Sequence, residues 1–272
     1  MRAIGPRAWK LSVCALASVQ IGLLAGCMNI GPLAGRASDE WTKTYPLSPG
    51  GVLRIVNTNG RVEIEGVGGS AVEVRAVRIA RAATDTGARE LLPRISIKED
   101  VTPDRVSIET ARLGGFLIGA GFEVQYYVKA PKDAAIDATT TNGVIALTAL
   151  TGKVTARATN GSVTAKELGG GVEARTTNGT VNVEVAKFGA DKIALSTVNG
   201  AVMLAVPDTA KADLSATCVN GGIIVTGLNL ETAEQSRRRV TGKINGGGTP
   251  IELRTTNGGI RLRARSEGAG SE

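Results

Sequence analysis

Histidine is absent from the chain, and phenylalanine, tyrosine and tryptophan together make up only 3% of it. The first absence removes the commonest general base and the commonest neutral metal ligand. Ser-His nucleophilic chemistry goes with it, although a Ser-Lys arrangement stays open. The shortage of aromatics argues against a nucleic-acid surface, which wants a basic stripe with interleaved rings. It also argues against a broad globular core. Glycine instead reaches 36 of 272 residues, and small apolar residues fill the patterned regions. That composition suits a narrow core repeated by stacking.

The formal charge of +7 overstates the basicity of a processed chain. Three of the 32 basic residues (Arg2, Arg7 and Lys10) lie within residues 1–26, which contain no acid, so 29 bases face 25 acids beyond them, a net +4. The densest basic cluster, Arg237-Arg238-Arg239, has no aromatic beside it and is expected to be a solvated loop.

The amino terminus has the form of a secretory signal. A short basic segment precedes the apolar run Leu11 to Leu24, which is too short to span a bilayer comfortably. Its end, Leu24-Ala25-Gly26-Cys27, resembles the bacterial lipobox, in which the cysteine is lipidated and the chain is cut just before it. That resemblance implies a thioether-linked diacylglycerol on Cys27 and a membrane partner. Several acyl chains would anchor stably, each buried methylene contributing about 0.8 kcal/mol. Residues 1–26 are then signal, 27–49 a tether broken by Gly and Pro, 50–265 the folded domain and 266–272 a frayed tail.

Asn-Gly recurs through the domain, at Asn59-Gly60, Asn142-Gly143, Asn160-Gly161, Asn178-Gly179, Asn199-Gly200, Asn220-Gly221 and Asn257-Gly258. From Asn142 to Asn199 the steps are 18, 18 and 21 residues, with second glycine corners at Gly152 and at Gly169 to Gly171. Asn-Gly is the favoured pair for a type I′ turn. Two residues after the corner glycines stand Val62, Ile145, Val154, Val163, Val181, Val202, Ile223 and Ile260. Four residues after stand Ile64, Leu147, Ala156, Ala165, Val183, Leu204, Val225 and Leu262. All sixteen are apolar, whereas the residues between them are mixed. Period-two alternation at a fixed distance from a turn predicts strands with one buried face. Two residues before each Asn, the side chains are small or polar: Asn57, Thr140, Ala158, Thr176, Thr197, Cys218 and Thr255. The pattern predicts an all-β solenoid of two-corner coils stacked at about 4.8 Å. Ala82 to Leu92 is helix-compatible, and Ile95 to Thr110 has the form of a hairpin. Leu113 to Gly121 is expected as a loop or strand edge. Leu230 to Arg239 is expected as a helix-compatible excursion, after which Asn245-Gly246 and Asn257-Gly258 resume the stack.

Pro131 and Asp137, and again Pro207 and Asp213, lead into Asn-Gly corners followed by x-Val-x-Val strands. With the closing Lys243-Ile244-Asn245-Gly246-Gly247-Gly248 and Thr255-Thr256-Asn257-Gly258-x-Ile260-x-Leu262, they resemble the bacterial adhesin-type β-strand-repeat family, also described as toastrack domains. The resemblance covers about residues 50 to 265. It implies an all-β, solenoid-like domain of bacterial envelope proteins, with roles in adhesion or envelope-stress sensing, and it supplies no catalytic motif.

Sharper chemistry finds little support. Calcium-binding solenoids need Asp in a GGxGxD loop, and these corners have almost no adjacent Asp. Cys218 occupies a slot filled mostly by Thr or Ala and is expected to be small, buried and inert. A glycan-cleaving site wants clustered carboxylates, whereas Glu173, Asp191 and Glu252 fall at unmatched offsets. The reading is therefore a non-enzymatic, lipid-anchored envelope protein with no cofactor or metal. It would bind an unknown protein or glycan through outward residues, and it is not expected to bind nucleic acid. An envelope-stress module partnering a membrane protein is the alternative, and a glycan-processing β-helix enzyme a second.

Overall fold

The computed structural model describes residues 33–111 and 119–265. The chain opens with β1 (Gly35–Pro46), β2 (Val52–Asn59), β3 (Val62–Val67) and β4 (Ala71–Ala82). The short helix α1 (Asp85–Leu91) follows, begun by Thr84, whose hydroxyl accepts from the Gly87 N–H at 3.1 Å. Next come a hairpin of β5 (Ile97–Thr102) with β6 (Arg105–Thr110), and then β7 (Ala120–Pro131). From there the chain runs in coils of two strands each: β8 (Ala135–Asn142) with β9 (Ile145–Thr148), β10 (Val154–Asn160) with β11 (Val163–Leu168), β12 (Val172–Asn178) with β13 (Val181–Val185), β14 (Ile193–Asn199) with β15 (Val202–Val206), and β16 (Ala212–Asn220) with β17 (Ile223–Thr226). A hairpin of β18 (Leu230–Gln235) and β19 (Arg239–Ile244) intervenes before the last coil, β20 (Thr249–Asn257) with β21 (Ile260–Ala264).

Strands that end on a corner Asn lie side by side in an 11-stranded approach sheet. Those that leave the corner form a 10-stranded exit sheet. Within the stack all neighbours are parallel and in register, corner Asn beside corner Asn. The apolar columns fill the space between the sheets. Fourteen of the sixteen column residues are buried, and the two exceptions, Ile223 and Val225, lie on β17 at the end of the exit sheet. At about 25 cal/mol per Å² of apolar surface, each Val, Leu or Ile hidden there contributes about 1.5–3 kcal/mol before chain entropy is charged. The architecture is the all-β solenoid expected, and α1 and the β5–β6 hairpin fall where they were expected.

Four details differ from the sequence expectation. The coils do not stack in chain order: β20–β21 is inserted between β14–β15 and β16–β17. Identical columns make any coil a fit neighbour for any other, so the pattern carries no order. The tether assigned to 27–49 is largely β1, twelve residues paired antiparallel with β4. Leu230 to Arg239 is strand β18 and the turn into β19 rather than a helix, because antiparallel pairing of β18 to β19, itself paired to β16, overrides its helix-forming composition. Asn245-Gly246 does not rejoin the stack. Both residues have positive φ (49° and 84°), the type I′ signature, and the Asn245 amide donates to the Asp208 and Ala210 carbonyls instead. The signal segment, the lipobox Leu24, Ala25, Gly26 and Cys27, the tail 266–272 and most of Leu113 to Gly121 lie outside the described residues.

The two poles of the stack are finished differently. At one, β7, β4 and β1 extend the exit sheet while β6 and β5 extend the approach sheet, and α1 packs on β1 and β4. A buried polar knot closes this cap. The Thr110 hydroxyl donates to Asn57 Oδ1 at 2.9 Å and shares a 2.8 Å hydrogen bond with the Tyr126 hydroxyl, and the Asn57 amide donates to the Val124 carbonyl at 2.8 Å. At the other pole β19 and β18 extend only the approach sheet, and the exit sheet stops at β17. The outermost strands β1, β5 and β18 carry charges, among them Lys43, Glu99 and Glu231, as edge strands commonly do. β17, Ile-Ile-Val-Thr, carries none.

Candidate functional site

The corner residues singled out by the sequence form a continuous hydrogen-bonded ladder. The side-chain amide of Asn142 donates to Asn59 Oδ1 at 2.8 Å. In the same sense Asn160 donates to Asn142, Asn178 to Asn160, Asn199 to Asn178, Asn257 to Asn199 and Asn220 to Asn257, at 2.7–2.9 Å. At the capped pole Asn59 donates to the Phe122 carbonyl. None of these Asn residues has positive φ, so the corners are not type I′ turns. Each Asn is the last extended residue of its approach strand.

Glycine is required next to it by close approach. A Cβ built on Gly161 would lie 1.7 Å from the Gly143 carbonyl oxygen. The corresponding distances at Gly143, Gly179, Gly200, Gly258 and Gly221 are 2.0, 2.2, 1.9, 1.9 and 1.8 Å, each to the corner glycine of the neighbouring coil. Behind the corner, the hydroxyls of Thr176, Thr197 and Thr255 donate to the carbonyls of Gly161, Gly179 and Gly200 at 2.7–2.9 Å. Cys218 takes the same slot, buried, with its Sγ 3.7 Å from the Arg237 carbonyl. The Thr140 hydroxyl, in the same slot, is buried without a hydrogen-bonding partner among the described residues, and the corner Asn and Gly residues are engaged in holding coil to coil.

The outer face of the approach sheet is different. In-register pairing lines up the residues three before each corner Asn into one row: Val56, Thr139, Arg157, Arg175, Ser196, Arg254 and Thr217, with Arg239 following on β19. Two residues back along the strands runs a parallel row that includes Asp137, Glu173 and Glu252. Arg157 bridges Asp137 and Glu173 at 3.5 and 3.1 Å, and Lys192 holds Glu252 at 2.7 Å. These pairs are a third to a half exposed, so each contributes about 0–1 kcal/mol. The Lys192 ammonium, aided by Arg254, holds the Glu252 carboxyl below the usual glutamate range and keeps it ionised. Arg175 and Lys153 have no ion-pair or hydrogen-bonding partner among the described residues. They line a groove of about 380 Å³ with Lys192, Ser196 and Arg254. An adjoining groove of about 430 Å³ shares Arg254 and is walled by Thr217, Arg239 and Thr241.

The family model described as toastrack DUF4097 matches residues 52–263. The chain belongs to the toastrack DUF4097 family. Solved bacterial proteins of low identity also match the chain. A candidate cell adhesion protein from Clostridium sporogenes is 10% identical, with 84% of this chain and 100% of that one covered and a TM-score of 0.48. A candidate adhesin from Bacteroides fragilis is 8% identical over 84% and 97%, with a TM-score of 0.33. A candidate lipid binding protein from Parabacteroides distasonis is 8% identical over 86% and 98%, with a TM-score of 0.28. No curated protein matches the chain.

Within the toastrack domain, no group of three or more His, Cys, Asp or Glu side chains is placed to hold a metal ion among the described residues. Arg237 and Arg238 are exposed in the tight β18–β19 turn, as expected of a solvated loop, where the Ser236 N–H donates to the Arg239 carbonyl at 2.8 Å. The arginine row was not singled out from the sequence, although its signal was there. Counting back three residues from each corner Asn collects Arg157, Arg175 and Arg254 directly.

Proposed function

We propose that this toastrack protein is a lipid-anchored, non-catalytic component of the bacterial envelope that binds its target through the outer face of the approach sheet. The observation that carries the reading is the row of outward arginines and hydroxyls, held at strand spacing on a rigid stack and only partly neutralised by neighbouring acids. A surface of this kind is built for contact over many coils, because each coil repeats the same presentation. Its stiffness lowers the ordering cost of binding.

The lipobox at Leu24 to Cys27 supports the anchor. The test has two arms. Fractionation of cells expressing the chain should find it with membranes, and Cys27→Ala should release it; unchanged membrane association of Cys27→Ala removes the anchor. The purified processed chain should bind whole bacteria or isolated envelope, and absence of any such binding removes the adhesive reading.

A further inference from the structure

Resting on that binding reading, we propose that the groove across β10, β12, β14 and β20 is a site for a linear acidic polysaccharide, gripped by its carboxylates. Four cations reach the groove, Lys153, Arg175, Lys192 and Arg254, against two acids, Glu173 and Glu252. Both acids are already engaged, Glu173 by Arg157 and Glu252 by Lys192. Lys153 and Arg175 are left with no partner of their own among the described residues. Arg254 has only the neighbouring field of Glu252. All three side chains are exposed. A guanidinium in this state offers a planar fork of donors that matches a carboxylate bidentately.

The spacing selects a polymer. Arg175 and Arg254 are separated by one strand, β14, which puts Ser196 between them. Arg254 and Arg239 are likewise separated by β16, which puts Thr217 between them. At the strand spacing of about 4.8 Å, the cations stand roughly 10 Å apart with a hydroxyl midway. An extended disaccharide has a comparable length, so a glycan acidic at every second sugar would meet an arginine at each acid and a hydroxyl at each neutral ring. The two adjoining grooves, sharing Arg254, give that chain a continuous track.

The lining also selects against other polyanions and against neutral sugars. Among the described residues no aromatic side chain borders either groove, so bases or apolar sugar faces find nothing there to stack on. The aromatic–cation contacts among the described residues, Arg75 over Tyr127 and Lys43 over Trp41, lie on the exit sheet near the capped pole.

The test is fluorescence polarisation with the purified processed chain and labelled hyaluronan oligosaccharides, in which every second sugar is a uronate. Dextran and a single-stranded oligonucleotide serve as comparison probes. Hyaluronan should bind, raised salt should weaken it, and Arg175→Gln and Arg254→Gln should each weaken it about tenfold, as loss of a charge-assisted bond implies. Arg263→Gln, on the exit sheet, should leave it unchanged. Oligonucleotide binding of equal strength, or equal loss in Arg263→Gln, would show attraction by net charge alone and overturn the site. Binding to envelope with no binding to hyaluronan overturns the ligand class while leaving the broader reading intact. Binding to neither overturns both.

Discussion

Replacing Gly161 by Ala tests how the stack is held. The new Cβ would sit 1.7 Å from the Gly143 carbonyl oxygen and 2.6 Å from its carbon. Ordinary contact needs twice the first distance, and the obstacle is backbone of a coil fixed on both sides. The Gly161 N–H donates to the Asn178 carbonyl at 2.9 Å and the Gly143 N–H to the Asn160 carbonyl at 3.0 Å, so relief by sliding breaks a corner bond. The backbone φ of +156° adds strain for any side chain. Overpacking of about 1–3 kcal/mol, with backbone strain of similar size, gives a loss of roughly 3–5 kcal/mol. In a domain of this size that lowers Tm by about 10 °C. Asn160→Ala removes two exposed ladder bonds and should cost only about 1 kcal/mol. Gly222→Ala, whose Cβ would meet nothing within 4 Å, should cost still less. Urea unfolding of the three variants, followed by circular dichroism, ranks them. A Gly161→Ala midpoint as close to wild type as that of Gly222→Ala would refute the close-approach argument.

Other expectations follow from the same geometry. Cys218→Thr should be neutral or stabilising by up to about 1 kcal/mol, because the new hydroxyl can donate to the Gly258 carbonyl as Thr255 does to Gly200; a clear drop in Tm would show that the slot differs at the open pole. Ile224→Lys places a charge on β17, the one uncharged edge strand among the described residues, and should raise the temperature of aggregation onset, measured by light scattering, with little change in Tm; unchanged onset would clear β17 as the sticky edge. Burial pushes the Tyr126 hydroxyl up to about 12, and burial followed by its hydrogen bond to Glu99 pushes Tyr45 up as well. The unfolded chain then releases these protons first. Stability is full below pH 10 and should fall by roughly 2–3 kcal/mol for Tyr126 as pH rises towards 12. Tyr126→Phe should flatten that alkaline decline while lowering stability at neutral pH, since Thr110 loses a partner. An alkaline profile identical to wild type would contradict the assignment.

What the sequence could reveal follows from where its side chains point. The inward columns are legible because burial demands an apolar residue at every coil, so Val62, Ile145, Val163 and their successors repeat without exception. β1 was hidden because it is an edge strand held by backbone pairing to β4. Burial alternates along its first half, but Asp39 takes one of the inward positions and Lys43 is exposed, so no apolar alternation shows in the sequence. β18, Leu-Glu-Thr-Ala-Glu-Gln, was hidden for the same reason and has a composition that favours helix. The corners were located correctly but for an incomplete reason, since Asn-Gly suggests a tight reverse turn. Here Gly is needed for carbonyl clearance and Asn for a side-chain ladder, and both are properties of the stack rather than of the local turn. The arginine row shares that character. Arg157, Arg175 and Arg254 are scattered along the chain, and only in-register pairing makes them one surface.

Adhesion of the processed chain to isolated bacterial envelope, compared with the double variant Arg175→Glu, Arg254→Glu, addresses the binding face most directly. The exposed positions of both residues leave the fold undisturbed, which circular dichroism can verify. The account predicts that wild type is retained on the envelope and that the double variant, with the charge of its central row reversed, is not. Equal retention of the two proteins would contradict it.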